Sequence, residues 1–263
     1  MKVEELIGRT SLRAAGRAIG LDVQVVEGRL ESRALDPDDP RYSTDFILPS
    51  MRMVDACRAD DFDFFRPWLE AGQLTVGQMQ RAAARYHLGK TRSGQPLFWM
   101  IDEMLDPLNA HMLPDAWLST ALKRREPLLR YWRPAHCLFG LHLLYSQEAA
   151  PNAKPDLPVA IVESEQTAVV LSELIPESIW MAYVSMAHMD AGRLAPLQGR
   201  TVTVYPPADP TSSTFLSCEE LAATLRQQYR MNITVASILE DNATDAQRER
   251  CIDLLDFILE RNS

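Results

Sequence analysis

The stretch VAIVESEQTAVVLSELIP (159–176) is an apolar run that ends in two carboxylates, Glu163 and Glu165, where a helical pattern begins. On extended backbone, residues i and i+2 point the same way. An acid–x–acid pair at a strand end can therefore offer both carboxylates to one divalent ion. Mg²⁺ suits that arrangement, because it takes oxygen ligands, typically one or two carboxylates completed by phosphates and water. A further acid, Asp209, follows a second apolar run in TVTVYPPADP (201–210), and Asp190 lies in the connection between the two. A carboxylate ending a buried strand is costly unless it meets donors, a cation or water. Glu165 has a second reading: as the opening residue of a helix it would sit at the surface or favour the N-terminal dipole.

Other chemistries find less support. The four cysteines, Cys57, Cys137, Cys218 and Cys251, are far apart and form no C-x-x-C pair, so neither a zinc site nor a disulfide framework is expected. Three of them lie in apolar or helical contexts and read as small buried hydrophobes. The five histidines show no i, i+4 ligand spacing, and His136 and His142, beside apolar residues, read as core or interface. There is no G-x-x-x-x-G-K-[ST] loop and no G-x-S-x-G turn. A formal net charge of −9 argues against a surface that grips nucleic acid everywhere. A local patch remains open in LKRREPLLRYWRP (122–134), where Lys123, Arg124, Arg125, Arg130 and Arg133 interleave with Tyr131 and Trp132, with Arg81, Arg85, Lys90 and Arg92 upstream. Such a face could pair phosphates and stack single-stranded bases. Its plainer reading is a solvated loop with two anchoring aromatics.

The elements that must position these residues fall into two halves. Residues 1–50 open with an amphipathic helical pattern and pass through the loop LDPDDPRYS; the next stretch reads helical around Pro67. TVGQMQRAAARYHLG is a helix with a capping box at Thr75 and Gln78, and Gly89 suits a left-handed stop. From Gly89 to Trp117 strands are expected, and RPAHCLFGLHLLYS reads as a buried helix or strand–helix junction. QEAAPNAKPDLP (147–158), with three prolines, marks a boundary between an α+β region at 1–150 and a second domain at 151–263. Beyond it, strands in VAIVE, SIWMAYV, TVTVY and NITVASI alternate with helices in EQTAVVLSELI and SCEELAATLRQQYR. Ser217 and Glu220 have capping-box spacing in the latter, and TDAQRERCIDLLDFILER reads as one closing helix boxed by Thr244 and Gln247. This alternation implies an α/β fold with a mostly parallel sheet flanked by helices. No apolar run reaches the roughly 20 residues of a membrane span, and the charged N-terminus lacks a signal peptide's apolar core, so a cytoplasmic protein is expected.

A strand ending in Glu, then a helix, then a later strand ending in Asp-x-Asp resembles the toprim pattern of primases and topoisomerases. The chain is more specifically similar to a toprim-containing, primase-like family of bacterial mobile genetic elements. YHLGKTRSGQPLFWMID (86–102), WRPAHCLFGLHLL (132–144), VAIVESEQTA (159–168), GRTVTVYPPAD (199–209) and ILEDNATDAQRERCIDLLDFIL (238–259) resemble its blocks, in its order. The resemblance implies a toprim-like sheet, nucleic-acid metabolism in replication or mobilisation, and Mg²⁺ held by Glu163 and Asp209, with Glu165 as a possible substitute ligand. If active, the chemistry would be phosphoryl or nucleotidyl transfer, with Glu163 as general acid–base. Single-stranded nucleic acid or nucleotide, and the replication or mobilisation proteins of the element, are the implied partners.

Two departures weigh on that expectation. No cysteine zinc ribbon is present, and Pro207 stands where the first acid of Asp-x-Asp would be. Loss of one carboxylate removes on the order of 4 kcal/mol of attraction per unit charge at ~4 Å and an effective dielectric near 20, before water compensates. Magnesium binding is thus expected to be weak or lost. The alternative is a non-catalytic nucleic-acid-binding or protein-interaction scaffold; an unrelated small-molecule α/β enzyme is the third reading.

Overall fold

The computed structural model describes residues 21–26, 29–34, 51–112, 116–125, 136–144 and 157–262. Expectations for the N-terminal helix, for LDPDDPRYS, for Arg130 and Arg133, and for the 147–158 boundary except its last two residues lie outside them. The chain divides into two compact units, one from residues 1–59, 87–100 and 105–135, the other from 60–86, 101–104 and 136–263.

In the first unit, β1 (Leu21–Val26) and β2 (Arg29–Ala34) pair antiparallel. Helix α1 (Met51–Ala56) follows. The second unit takes up the chain with a 3₁₀ turn at Asp63–Phe65, α2 (Arg66–Glu70) and α3 (Val76–Arg85). The capping box of α3 forms as expected, with Thr75 accepting from the Gln78 backbone and Gln78 from that of Thr75. Gly89 is not the stop. Helix α3 ends at Tyr86, and His87 supplies the left-handed residue at φ 51°. Gly89 is needed for a close approach instead: a Cβ there would lie 2.8 Å from the Cys57 carbonyl oxygen.

The expected strands then appear as β3 (Gly89–Lys90), β4 (Pro96–Ile101), β5 (Pro107–Met112) and β6 (Ala116–Trp117), in that order in one sheet, followed by α4 (Leu118–Arg125). Helix α4 carries Lys123, Arg124 and Arg125.

The second unit holds the parallel sheet. Its strands are β7 (Val159–Val162), β8 (Ile179–Ala182), β9 (Thr201–Val204) and β10 (Asn232–Val235), in the order β10-β9-β7-β8. All three pairings are parallel. Every residue of β7 and β8 is buried, as expected of strands covered on both faces, whereas the edge strand β10 alternates. Helix α5 (Glu165–Leu174) links β7 to β8 and stops two residues short of Pro176. Helix α6 (Ala191–Leu194) precedes β9, and α7 (Ser213–Tyr229) joins β9 to β10. Helix α7 starts at Ser213, so Ser217 and Glu220 lie inside it rather than at its cap.

The closing helix is broken into pieces. After α8 (Ile238–Asn242) comes α9 (Asp245–Glu249), with its Thr244–Gln247 box, and then α10 (Leu254–Asn262). The break falls at Cys251, which adopts φ 50°. A helix cannot propagate through a left-handed residue. Asp253 then restarts the helix by accepting from the Asp256 N–H at 2.9 Å.

Of RPAHCLFGLHLLYS, the described residues 136–144 form an edge cover. Phe139 and Ala182 of β8 exchange both backbone hydrogen bonds, at 2.9 and 3.0 Å, so the outer edge of β8 is paired at its last residue. Gly140 follows at φ 86°, where a Cβ would sit 3.0 Å from the Trp180 carbonyl oxygen. Beneath lies Tyr86, stacked on Phe139 and donating to the Trp180 carbonyl at 2.8 Å. Arg81 and Arg85 converge on the buried Glu173 carboxylate, both at 2.8 Å.

Candidate functional site

The chain passes from β7 to β8 on one side and returns to β9 on the other, so the strand order reverses between β7 and β9. The crevice beyond the carboxyl ends of those two strands is where such folds bind ligands. Glu163 stands one residue past β7, still in the ladder: its carbonyl accepts from the Val184 N–H at 2.9 Å. Asp209 lies on the loop leaving β9, whose first residue, Tyr205, donates to the Ile161 carbonyl of β7 at 2.8 Å. The two acids thus leave adjacent strands at the same edge.

Their surroundings differ. The Asp209 carboxylate, 7 % exposed, is enclosed by its own loop. One oxygen accepts from the Thr211 N–H and hydroxyl at 2.9 and 2.7 Å and from the Ser213 N–H at 3.1 Å; the other accepts from the Thr214 N–H at 2.8 Å. The Ser213 hydroxyl lies 3.3 Å from both. These are the orphan donors at the start of α7, and the carboxylate also complements the helix dipole. Burial pushes the carboxyl up, but the bonds from Thr214 and Thr211 more than reverse this and hold it below the usual carboxylate range. The loop is pinned from behind. Ala208 donates its N–H to the Ile252 carbonyl at 3.1 Å; Arg248 pairs with Glu240 at 3.1 Å and reaches the Asp209 carbonyl; the Ser212 hydroxyl donates to Glu240.

Glu163 has a different environment. Burial pushes its carboxyl up, and the negative charge of Asp253 adds to the shift. Asp253 is held by the Thr167 hydroxyl of α5, which donates to its second oxygen. One residue past β8 is Tyr183, which is 1 % exposed; its hydroxyl has no hydrogen-bond partner among the described residues. Burial, then Glu163 and Cys218, push that phenol far up. Burial, then Glu163 and Glu219, push the buried Cys218 thiol up to about 12. Burial and Asp253 disfavour the Glu163 charge, and that carboxylate in turn helps keep the phenol and the thiol protonated.

Glu165, 4 % exposed in the first turn of α5, is at a place where the dipole favours a carboxylate, but it is not a surface residue. Asp190 is given over to α6: its side chain accepts from the Arg193 N–H at 2.9 Å and pairs with the Arg193 guanidinium. Of the upstream basic residues, Arg81 and Arg85 are spent on Glu173. Among the cysteines, Cys218 is buried, Cys57 and Cys137 are half-buried and Cys251 is exposed.

Magnesium fits this edge poorly. Asp209 presents its oxygens to three N–H groups and two hydroxyls, which fill the lone pairs a cation would use. Among the described residues no group of three His, Cys, Asp or Glu side chains is placed to hold a metal ion. The residues that sequence reasoning missed are Asp253, Tyr183, Cys218 and Thr167. Only Asp253 had a local signal, an Asp three residues before Asp256 at a cap-like spacing, hidden inside what reads as one helix.

A family model described as a domain of unknown function (DUF6371) matches residues 63–208, more than half of the chain. No curated protein matches it.

Proposed function

The chain belongs to the DUF6371 family, and on that premise we propose that it is a toprim-like, primase-related module in the nucleic-acid metabolism of a mobile element, with a degenerate phosphoryl-transfer site. It works by binding, and its contact with magnesium is weak or lost. The observation that carries this reading is the state of Asp209. The one acid left beside Pro207 serves as the internal cap of α7. A carboxylate so engaged would have to break charge-assisted bonds to take a metal. The binding face we assign is the basic segment holding Lys123, Arg124 and Arg125 on α4, with Arg130 and Arg133 beyond it. Its ligand is single-stranded nucleic acid in complexes with replication or mobilisation proteins of the element.

Calorimetric titration with Mg²⁺ or Mn²⁺, with and without nucleotide, tests the first half. The expected result is no saturable heat, in the wild type and in Glu163→Gln alike. Tight binding that Glu163→Gln abolishes would replace this reading with an active, metal-dependent nucleotidyl-transfer enzyme. Single-strand binding across a salt series tests the second half. A steep negative slope of log affinity on log salt is expected, reduced by Arg124→Glu with Arg125→Glu. A flat slope would leave a protein-interaction scaffold.

A further inference from the structure

The crevice beyond the carboxyl ends of β7 and β9 is crossed by the chain itself, at Cys251–Asp253. The Ile252 carbonyl accepts from the Ala208 N–H, on the loop leaving β9, at 3.1 Å. The next residue, Asp253, accepts from the Thr167 hydroxyl in the first turn of α5, the helix that follows β7. Two consecutive residues thus tie together the segments that leave the two central strands. The chain is fixed on either side of them. Arg248 of α9 bonds Glu240 and the Asp209 carbonyl, and Leu254, Leu255 and Phe257 of α10 are buried. The arc between is less settled. Cys251 is exposed and adopts φ 50°, a conformation that L side chains resist. Asp253 brings its negative charge to Glu163, while Arg250, three residues before it, is paired with Glu260.

We propose that Cys251–Asp253 is an autoinhibitory strap on this crevice, which opens while the sheet stays folded and so controls access to Glu163. Three contacts hold it down: the backbone bond from Ala208, the hydroxyl bond from Thr167, and the Ile252 side chain, which is 2 % exposed. Against them, opening separates Asp253 from the Glu163 carboxylate and relaxes the left-handed Cys251. That balance places the strap among the segments that open locally, well short of global unfolding. The sheet beneath stands on other bonds. Tyr205 donates to the Ile161 carbonyl and Ala236 to that of Val204, with the strap closed or open. A ligand that uses the switch-point crevice must displace the strap, so its apparent affinity scales with the fraction of molecules in which the strap is open. None of these contacts depends on which ligand that is.

Amide-resolved hydrogen exchange of the full chain, normalised to intrinsic rates, tests this. Pro206 and Pro207 carry no N–H, so the Ala208 amide, bonded to the strap, is the first after that of Tyr205, bonded to the sheet. In the wild type Ala208 is expected to exchange about ten-fold or more faster than Tyr205. Thr167→Val removes one anchor and should speed Ala208 by about ten-fold again relative to Tyr205. Glu163→Gln removes the facing charge and should slow Ala208 several-fold on the same scale. Coupling of Glu163 to glycine ethyl ester with a water-soluble carbodiimide, mapped on peptides, should rise several-fold in Thr167→Val. Equal exchange of the two amides in the wild type overturns the proposal. So does a Thr167→Val that moves both amides alike or leaves the Glu163 coupling unchanged, or a Glu163→Gln that does not slow Ala208. Should Thr167→Val not fold, Ile252→Val serves: it weakens another anchor, the same two rises are expected, and their absence overturns the proposal.

Discussion

Two acids leave neighbouring strands of one parallel sheet, and the ends of β7 and β9 treat them in opposite ways. At β9, Asp209 is met by more donors than it has oxygens, and the loop behind it is pinned by Arg248, Glu240 and Ile252. At β7, Glu163 is half-buried and met by the negative charge of Asp253. The first end favours a charged carboxylate; the second favours a neutral one. Strand-end position alone therefore does not make a carboxylate a ligand. What counts is whether the neighbouring donors leave it any unspent capacity, and on which side of its ionisation they hold it.

Removing the over-satisfied acid should have the largest effect. Asp209→Ala leaves the first N–H groups of α7 and two hydroxyls without their acceptor, and should destabilise the chain by about 3 kcal/mol, read as a lower urea midpoint at constant slope. Arg248→Ala should reproduce about half of that loss, because it loosens the loop without emptying the cap. If Asp209→Ala were neutral, the contrast between the two strand ends would collapse.

The two acids also predict opposite pH dependences. Asp209 is held below its unfolded value, so its stabilisation is present above about pH 4 and is lost as pH falls. The gap between wild type and Asp209→Asn should narrow in acid. Glu163 is held above its unfolded value, so it disfavours folding once ionised and ceases to do so below about pH 4. Glu163→Gln should raise stability at neutral pH by about 1 kcal/mol, from relief of a half-buried charge beside another acid, and the gain should vanish in acid. Thermal midpoints of the three proteins across pH would show the two trends diverging. A destabilising Glu163→Gln would mean that this end too supplies hidden donors.

Much of this architecture was legible because it is local. Two buried runs marked β7 and β8 and two alternating ones β9 and β10, and Thr75–Gln78 and Thr244–Gln247 marked real helix starts because a capping box closes within four residues. The same spacing at Ser217–Glu220 failed, since a carboxylate outside the helix, Asp209, supplies the stronger start four residues earlier. The left-handed turns at His87 and Cys251 carry no glycine to announce them, so one helix end and one helix break went unread. The acids themselves were visible, but their partners were not. Asp253 acts on Glu163 from some ninety residues away, and Arg81 and Arg85 meet Glu173 across a similar separation. Charge state is set by such distant contacts, which periodicity cannot show.

The smallest expected effect sharpens the β7 end most. Tyr183 buries a hydroxyl that has no hydrogen-bond partner among the described residues, one residue past β8 as Glu163 is one past β7. A lone buried hydroxyl costs free energy, and replacing it with hydrogen of the same shape removes that cost. Tyr183→Phe should therefore stabilise the chain by about 0.5 kcal/mol, measured as a higher urea midpoint, and should leave the Glu163→Gln gain intact when the two are combined. Were Tyr183→Phe to destabilise and the two changes to couple by about 1 kcal/mol, the phenol would be donating to Glu163. The carboxylate at β7 would then be a supported anion like its neighbour at β9.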